Sequence, residues 1–306
     1  MDQATNGDPL PPGDVVDQWA LDIDGYLGGR ANRQWLVTAD GMPLVLRRYP
    51  KEPPGDVRYE WRVLRRLDAL GWPVPVPVGG PYVADGHTWC LFTRLPGAPP
   101  TVAGPAAERA RGRLLADLHA VTASLADLGQ RPGWLRTEAV VADPALSRRL
   151  DEYARLFPRP ARILRWHADR AHECFSRIDL RNRRLVVLHG DFNARNLLYQ
   201  DDRLTGIVDF ETTHLNHRAS EFALAWQAKR DEIIHGYEEV RPLDEVDRAL
   251  LAPTLWSWVL LGVAAEIRRM LGGLTVPHGF DWQVGRLLRR SPLMGAEAAP
   301  YPETGP

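Results

Sequence analysis

The stretch that decides the fold spans residues 185–211 and reads LVVLHGDFNARNLLYQDDRLTGIVDFE. It opens with an apolar run at 185–188, which predicts a short buried strand, and Asp191 follows that strand. Asn196 lies five residues beyond Asp191, and a second short predicted strand ends at Asp209. Two carboxylates and one amide therefore lie at the ends of two strands. Phosphoryl transfer requires such a set, with one carboxylate for a hydroxyl proton and oxygen ligands for magnesium.

Composition bounds the classes of partner and compartment. The chain has 306 residues, enough for two lobes, with 44% hydrophobic and 25% charged residues and a formal net charge of −1. This balance favours no nucleic-acid or anionic membrane partner. Cys90 and Cys174 lack metal-ligand spacing and suit a reducing compartment, and the acidic, Pro/Gly-rich N-terminus is unlike a signal peptide. We therefore expect a cytoplasmic protein that is a monomer or a homodimer.

One segment is apolar enough to be compared with a membrane span. Residues 249–265 carry no charge, but Pro253 and polar or small residues dilute the run. We expect a buried helix within 244–271 that is broken at Pro253, and no membrane partner.

The first part of the chain predicts strands and one helix. A disordered leader is expected at 1–13 and a β-hairpin at 34–38 and 43–49 around an Asp-Gly turn, with a glycine pair before its first strand. The expected helix begins near 57, and a buried strand covers 88–93 before a breaker-rich linker. These signals place an N-terminal lobe at 14–95, to which the resemblance given below assigns nucleotide binding.

The second part is mostly helical, and we assign it to a C-terminal lobe at 96–292 followed by a flexible tail at 293–306. The resemblance given below assigns catalysis and acceptor binding to this lobe. The helical patterns cover 106–128, 144–157, 160–178, 220–229, 231–239, 244–271 and 282–290.

Three weaker signals have two interpretations each when taken alone. Gly28 and Gly29 fit a turn with positive φ or a loop that approaches phosphates. Arg47 fits a solvated strand residue or a phosphate ligand. Glu60 fits a favourable charge near a helix start or the partner of a basic residue.

The spacing His189-Gly190-Asp191-x4-Asn196 and the later Asp209-Phe210-Glu211 resemble the aminoglycoside phosphotransferase family of small-molecule kinases. The resemblance extends from about residue 20 to 290. It implies an α+β, bilobal protein-kinase-like fold with a small β-rich N-lobe and a larger, mainly helical C-lobe. It also implies ATP and Mg²⁺ as cofactors and a small-molecule hydroxyl as the acceptor.

The resemblance assigns roles to particular residues. Asp191 would be the catalytic acid/base, and Asn196 and Asp209 would ligate Mg²⁺. The remaining residues would contact ATP through a phosphate-covering loop, a basic strand residue with its helix partner, and a hinge beside adenine. They are Gly28, Gly29, Asn32, Arg47, Glu60, Thr93 and Leu95. The sequence departs from the family where Glu221 stands in place of an aspartate that stabilises the catalytic loop.

The acceptor stays open at this stage. An aminoglycoside-like antibiotic or related metabolite is the first hypothesis, a homoserine-kinase-like metabolic alcohol kinase the second, and a non-catalytic nucleotide-binding pseudokinase the third. A polycationic acceptor would need a carboxylate cluster. The candidates are Asp231, Glu232, Glu238, Glu239, Glu266 and Asp281.

Overall fold

The computed structural model describes residues 9–29, 32–53, 55–272, 281–295 and 301–302. Its chain forms two compact units. The first contains Met1–Pro100, Gln130–Trp134 and Ala194–Thr213, and the second contains Thr101–Gly129, Leu135–Asn193 and His214–Pro306. The units do not follow a single cut between residues 95 and 96, because two later segments pack with the first unit.

The first unit is built on a five-stranded antiparallel sheet in the order β1-β2-β3-β5-β4. A short helix, α1 (Gly13–Gln18), precedes the sheet, and α2 (Val57–Ala69) lies between its third and fourth strands in sequence. The strands are β1 (Asp22–Gly28), β2 (Arg33–Ala39), β3 (Met42–Arg48), β4 (Pro77–Ala84) and β5 (His87–Thr93). Gly28 ends β1, and the glycine pair precedes β2, the first strand of the predicted hairpin, as expected.

The predicted hairpin is confirmed as β2 and β3. Its two central turn residues, Asp40 and Gly41, have φ of 48° and 74°, and Ala39 pairs with Met42 across the strands. Two positive φ angles are the requirement of the type I′ turn, whose twist matches that of antiparallel strands. The hairpin register then pairs Trp35 with Leu46 and buries both side chains.

The leader prediction was wrong for residues 9–13 and falls outside the described residues for 1–8. The Trp35 indole Nε1 donates a hydrogen bond to the carbonyl of Pro9 at 2.8 Å. Val15 of α1 is fully buried in the sheet core. These contacts fix the segment, because an apolar side chain and a buried indole donor both find partners there.

A second hairpin completes the first unit. It consists of β7 (Leu197–Gln200) and β8 (Arg203–Ile207), with 3₁₀ helices at Ala194–Asn196 and Phe210–Thr212 on either side. Residues Ala98 and Tyr199 exchange backbone hydrogen bonds, which join the chain after β5 to this hairpin.

The second unit is mainly helical, as expected. A short antiparallel pair, β6 (Val186–Leu188) and β9 (His214–Asn216), lies among the helices. The helices are α3 (Pro105–Thr122), α4 (Thr137–Ala142), α5 (Pro144–Ala154), α6 (Pro158–Arg177), α7 (Phe222–Ala225), α8 (Asp231–Glu238), α9 (Glu245–Leu271) and α10 (Asp281–Leu287), with 3₁₀ helices at Ala123–Leu128, Arg218–Glu221 and Pro292–Met294.

Helix α9 runs through Pro253 without interruption, so the predicted break was wrong. The Thr254 hydroxyl donates to the Leu250 carbonyl at 2.6 Å beside the proline. A proline inside a helix costs about 3 kcal/mol, and burial of side chains such as Trp256 offsets that cost. The helix is long and apolar enough to cross a membrane, but 72% of its most apolar window is buried inside the protein, as the sequence predicted.

The expected flexible tail was also wrong for its described residues. Met294 is buried, and Tyr301 packs its ring against Trp166 and His167 with centroid distances of 5.7 and 6.4 Å. Aromatic contacts of this kind hold the chain end against α6.

Candidate active site

Within the first unit, the β7–β8 hairpin determines the positions of the two predicted metal ligands. Asn196 immediately precedes β7, and Asp209 follows β8 by two residues. The first strand pair is Leu197 with Ile207, and the Val208 amide donates to the Asn196 carbonyl at 2.9 Å. Both predicted ligands therefore lie at the same open end of one hairpin.

Asp209 has a strained backbone and an accessible side chain. Its φ and ψ are 69° and 53°, in the left-handed region that few residues other than glycine, asparagine and aspartate adopt. Its side chain is 27% exposed, and one carboxylate oxygen lies 3.5 Å from Arg47 Nη2. Such strain at a predicted ligand fits a functional position.

Arg47, Glu60 and Tyr49 form a buried polar cluster next to Asp209. Arg47 Nη1 donates to Glu60 Oε1 at 3.1 Å, and the Tyr49 hydroxyl donates to Glu60 Oε2 at 2.7 Å. Burial would lower the pKa of Arg47, but Tyr49, Glu60 and Asp209 raise it above its ordinary value, so the guanidinium stays charged. Burial raises the pKa of Glu60, and Arg47 opposes that shift.

The glycine loop approaches its own backbone closely. Gly29 has φ of +120°, and a Cβ there would collide with the carbonyl of Asn32. Asn32 is buried, and its amide Nδ2 donates to the carboxylate of Glu211. The loop is therefore tied to the segment after Asp209. Only glycine allows this conformation of residue 29.

The two predicted hinge residues support the sheet through interactions of their own. The Thr93 hydroxyl accepts a hydrogen bond from the Val76 amide at 2.8 Å, which joins β5 to the start of β4. Leu95 lies beside Gly206, where an added Cβ would come within 3.0 Å of its side chain. Contact of either residue with adenine stays a prediction.

Sequence reasoning missed Arg131, a buried arginine of the first unit. Its Nη1 donates to the carbonyls of Glu211 at 2.6 Å and Thr213 at 3.0 Å, and so holds the segment that follows Asp209. One arginine in a loop between helical patterns gives no sequence signal of such burial.

In the second unit, a buried carboxylate holds the loop of Asp191. Glu221 is fully buried, and its two oxygens accept the backbone amides of His189 and Gly190, both at 2.8 Å. The His189 ring Nδ1 accepts a hydrogen bond from the Asp191 amide at 3.2 Å, so this histidine supports the loop. Asp191 itself is 9% exposed.

A histidine and a tyrosine complete the support behind Glu221. His119 Nε2 lies 3.5 Å from Glu221 Oε2, and its Nδ1 lies 3.0 Å from the Tyr237 hydroxyl. Burial would raise the pKa of Glu221, but hydrogen bonds from His119 and the Gly190 amide lower it below its ordinary value. The glutamate thus carries out the loop-supporting role that the resemblance assigns to an aspartate.

Arg111 of α3 holds the other side of the same loop and was not predicted. It is buried, and it donates through Nη1 to the Phe192 carbonyl and through Nη2 to the Ala225 carbonyl. Burial lowers the pKa of Arg111 below its ordinary value, although the ion pair with Glu108 and, more weakly, the charge of Asp191 oppose that shift. Arg111 therefore holds the backbone that follows Asp191 through the Phe192 carbonyl.

The carboxylates considered for a cationic acceptor have partners within the second unit. Arginines pair with three of them: the pairs are Arg109–Glu232, Arg248–Glu238 and Arg113–Glu239. Asp231 accepts from the Trp226 indole at 2.7 Å, and Glu266 accepts from Gln283 at 2.7 Å. The side chain of Asp281 lies outside the described part.

The donor set at Asn196 and Asp209 fits a magnesium ion of the nucleotide-site type. One amide and one carboxylate are hard oxygen ligands, and they leave the other octahedral positions to phosphates and water. The Asp209 carboxylate lies 3.5 Å from Nη2 of Arg47, the predicted phosphate-binding residue of the same unit.

Residues 22–256 match the model of the phosphotransferase enzyme family. The chain belongs to this family. The predicted family and its phosphotransferase class are confirmed.

Curated and solved relatives cover most of the chain. A homoserine kinase of Granulibacter bethesdensis is 26% identical over 295 residues, covering 85% of this chain and 84% of that protein. A spectinomycin phosphotransferase in complex with ADP and spectinomycin has a TM-score of 0.62 at 12% identity, covering 92% of this chain and 94% of the other. A microcompartment-associated aminopropanol kinase has a TM-score of 0.58 at 17% identity, covering 87% and 88%. These structures confirm the predicted fold class.

Proposed function

We propose that this phosphotransferase transfers the γ-phosphoryl group of ATP, with Mg²⁺, to a hydroxyl of a small molecule. The observation that carries the proposal is the buried Arg47, which pairs with Glu60 and lies 3.5 Å from Asp209. A fixed positive charge beside an accessible carboxylate suits binding of a nucleotide phosphate together with its metal.

Each residue has a definite task in this reaction. Arg47, held by Glu60, binds the phosphates of ATP, and Asn196 with Asp209 holds Mg²⁺, which neutralises charge on the phosphate oxygens when bound. Asp191 accepts the proton of the acceptor hydroxyl as the oxygen attacks phosphorus. Glu221 keeps the Asp191 loop in place through the His189 and Gly190 amides.

The experiment measures ADP release with ATP and Mg²⁺ against aminoglycosides, spectinomycin, homoserine and 3-aminopropan-1-ol. Asp191→Asn is expected to lower turnover by about 10²- to 10⁴-fold, the range for a general base. Asp201→Asn is the matched control, because Asp201 lies in the exposed β7–β8 turn with φ of 50°, which asparagine also adopts. If no acceptor gives turnover above Asp191→Asn, a pseudokinase becomes the better interpretation.

A homoserine-kinase-like activity is the second candidate. It is supported by the 26% identical homoserine kinase, which the chain matches over 84% of that protein. The pairing of the second unit's carboxylates with arginines and other donors also argues against a polycationic acceptor. Faster turnover of homoserine than of any aminoglycoside in the same panel would favour this candidate.

We further propose a cytoplasmic location and a monomer or homodimer without nucleic-acid or membrane partners. Cys90 and Cys174 are buried free thiols, which suits a reducing compartment. Cell fractionation and light scattering of the purified protein test these points. Recovery in the membrane fraction would contradict them.

A further inference from the structure

Arg286 of α10 is a buried charge with unused hydrogen-bond donors. Its relative exposure is 5%, and within the described residues its Nε and Nη2 atoms have no hydrogen-bond partner. These two atoms form one edge of the guanidinium, the edge that binds both oxygens of a carboxylate in parallel. An unpaired buried charge is strongly unfavourable, so a ligand that completes it would bind with a large gain.

Trp282 and Gln283 of the same helix are the neighbours of the Arg286 guanidinium. The ring of Trp282 lies 4.7 Å from the guanidinium carbon, measured to a ring centroid, and covers one face of the group. Gln283, three residues earlier on α10, is 8% exposed and donates through Nε2 to Glu266 at 2.7 Å. The side-chain amide oxygen of Gln283, Oε1, has no hydrogen-bond partner within the described residues. The α10 face therefore presents both a double donor and a free acceptor.

The charges around Arg286 connect it to the catalytic residue. Burial and the positive charge of Arg289 lower the pKa of Arg286 to about 10, and the negative charge of Asp191 opposes that shift. The group therefore remains cationic at neutral pH. Arg289 has its own partner, since its Nη1 donates to the Gln227 carbonyl at 3.2 Å. Arg286 thus interacts electrostatically with the proposed base, and its Nε and Nη2 find no acceptor in the part of the chain that the structure describes.

The same charges disfavour a polycationic acceptor. The charge of Arg286 interacts with that of Asp191, and its Nε and Nη2 have no partner among the described residues, whereas Arg111 is paired with Glu108. A cation that approaches Asp191 would be repelled by Arg286, whereas an anion would be attracted.

We propose that Arg286 binds the carboxylate of the phosphate acceptor, which is a small hydroxy amino acid, and that the free carbonyl of Gln283 accepts a hydrogen bond from its ammonium group. The proposal rests on the function proposed above and names its substrate class. The carboxylate satisfies Nε and Nη2 together, and the hydroxyl at the other end of the molecule reaches Asp191.

Three related small molecules test separately the contributions of the carboxylate and the ammonium group of such an acceptor. Homoserine carries the hydroxyl, the carboxylate and the ammonium, 3-aminopropan-1-ol lacks the carboxylate, and 4-hydroxybutanoate lacks the ammonium. We expect kcat/KM to be highest for homoserine and to fall by about 100-fold for 3-aminopropan-1-ol, because a buried donor pair is then left unsatisfied. Equal kcat/KM for these two acceptors would overturn the proposal.

Variants of Arg286 test whether this residue binds the acceptor carboxylate. Arg286→Met should lower kcat/KM for homoserine by about 100-fold without lowering that for the cationic 3-aminopropan-1-ol, which no longer meets a repelling charge. Arg286→Lys should recover only part of the loss for homoserine, because lysine lacks the planar fork. Arg268→Met is the matched control, since Arg268 is an exposed arginine on α9. A loss that is equal for both acceptors would assign Arg286 a structural role and contradict the proposal.

A binding measurement separates this proposal from the kinase assignment. Calorimetric titration with 4-hydroxybutanoate, without nucleotide, needs no turnover. Binding to the wild type and loss of binding in Arg286→Met support the carboxylate site even if no acceptor is phosphorylated, in which case only the kinase assignment fails. Absence of binding to the wild type, or unchanged binding to Arg286→Met, overturns the carboxylate site even if the kinase is active on other acceptors.

Discussion

Glu221 shows how one buried residue supports the loop that carries the proposed base, Asp191. Each of its oxygens accepts one backbone amide, from Gly190 and His189, at 2.8 Å. We predict that Glu221→Gln lowers the free energy of unfolding at pH 7 by about 2–3 kcal/mol, because its NH₂ group would face a backbone N–H. We also expect kcat to fall by about 10- to 100-fold, because the Asp191 loop loses its position.

The pH dependence distinguishes charge from shape at this residue. The pKa of Glu221 lies below its ordinary value of 4.5 in the folded protein. A carboxylate with a lowered folded pKa stabilises the fold above its unfolded pKa and loses that contribution as pH falls through the folded pKa. Denaturation of wild type and Glu221→Gln at several pH values should therefore show a difference that shrinks below about pH 4.5. A constant difference would contradict the ionised state, and Glu221→Asp serves as the charged control.

His167 should make the fold sensitive to acid. It is fully buried, and burial lowers its pKa from 6.5 to about 4. The unfolded chain takes up a proton as pH falls below 6.5 while the folded chain does not, so this residue should reduce stability by about 3 kcal/mol between pH 7 and pH 4. Comparison of wild type with His167→Phe by denaturation measures the loss. If both proteins lose stability equally with pH, this histidine is not the cause.

At this scale, sequence reasoning predicted site residues from the spacing of a motif that resembles a known family. Asp191, Asn196 and Asp209 were predicted together, because they belong to one motif with a characteristic spacing in the sequence. Arg131 and Arg286 could not be predicted, because the chain has many arginines and only the packed structure determines which of them are buried. A single arginine in a sequence does not reveal whether its side chain is buried.

Among the secondary-structure elements, helices α3 and α8 pack closely against each other at two glycines. A Cβ at Gly236 of α8 would lie 2.7 Å from the Cα of Arg109 in α3, and one at Gly112 would lie 2.7 Å from the Tyr237 nitrogen. The backbones of α3 and α8 are therefore too close for any side chain between them. His119 and Tyr237 lie on these same two helices, so this packing also supports the network behind Glu221.

We predict that Gly236→Ala destabilises the protein by about 1–3 kcal/mol, the usual range for overpacking, because the helices must separate. Gly262→Ala on α9 is the matched control, since a Cβ there meets nothing within 4 Å and alanine favours helix by up to about 1 kcal/mol. Denaturation of both variants measures the two effects. Equal behaviour of the two variants would show that the contact between α3 and α8 relaxes.

The errors of the predicted elements have one physical origin. Pro253 and the residues beyond 292 were interpreted from local propensity, which favours a helix break and a frayed end. Packing outweighs both preferences, because Trp256 is fully buried in α9 and Met294 is 2% exposed. Local patterns predicted the hairpin of β2 and β3 correctly because its turn residues and its alternation agree with its burial.

At the scale of the whole molecule, the proposed nucleotide ligands and the proposed base belong to different compact units. Arg47, Glu60, Asn196 and Asp209 lie in the first, whereas Asp191 lies in the second with Glu221 and Arg111. Asp191 and Asn196 are only five residues apart, so the motif that predicts the chemistry crosses the boundary between the units. The proposed roles in nucleotide binding and in proton transfer therefore fall on residues of different units, and mutation can test them separately.

We predict that ATP with Mg²⁺ raises the melting temperature of the wild type by about 5 °C at 100 times its dissociation constant. Asp191→Asn should keep that shift and lose turnover, whereas Arg47→Met should lose the shift because the phosphates lose their buried cation. Arg48→Met is the matched control, since Arg48 is the next residue of β3 and its side chain points to the opposite face of the sheet. Its guanidinium carbon lies 5.9 Å from the centroid of the Trp89 ring. The shift on ATP addition is compared within each variant, because Arg47→Met also leaves Glu60 unpaired and lowers the starting temperature. Loss of the shift in Asp191→Asn, or its retention in Arg47→Met, would contradict this division of roles.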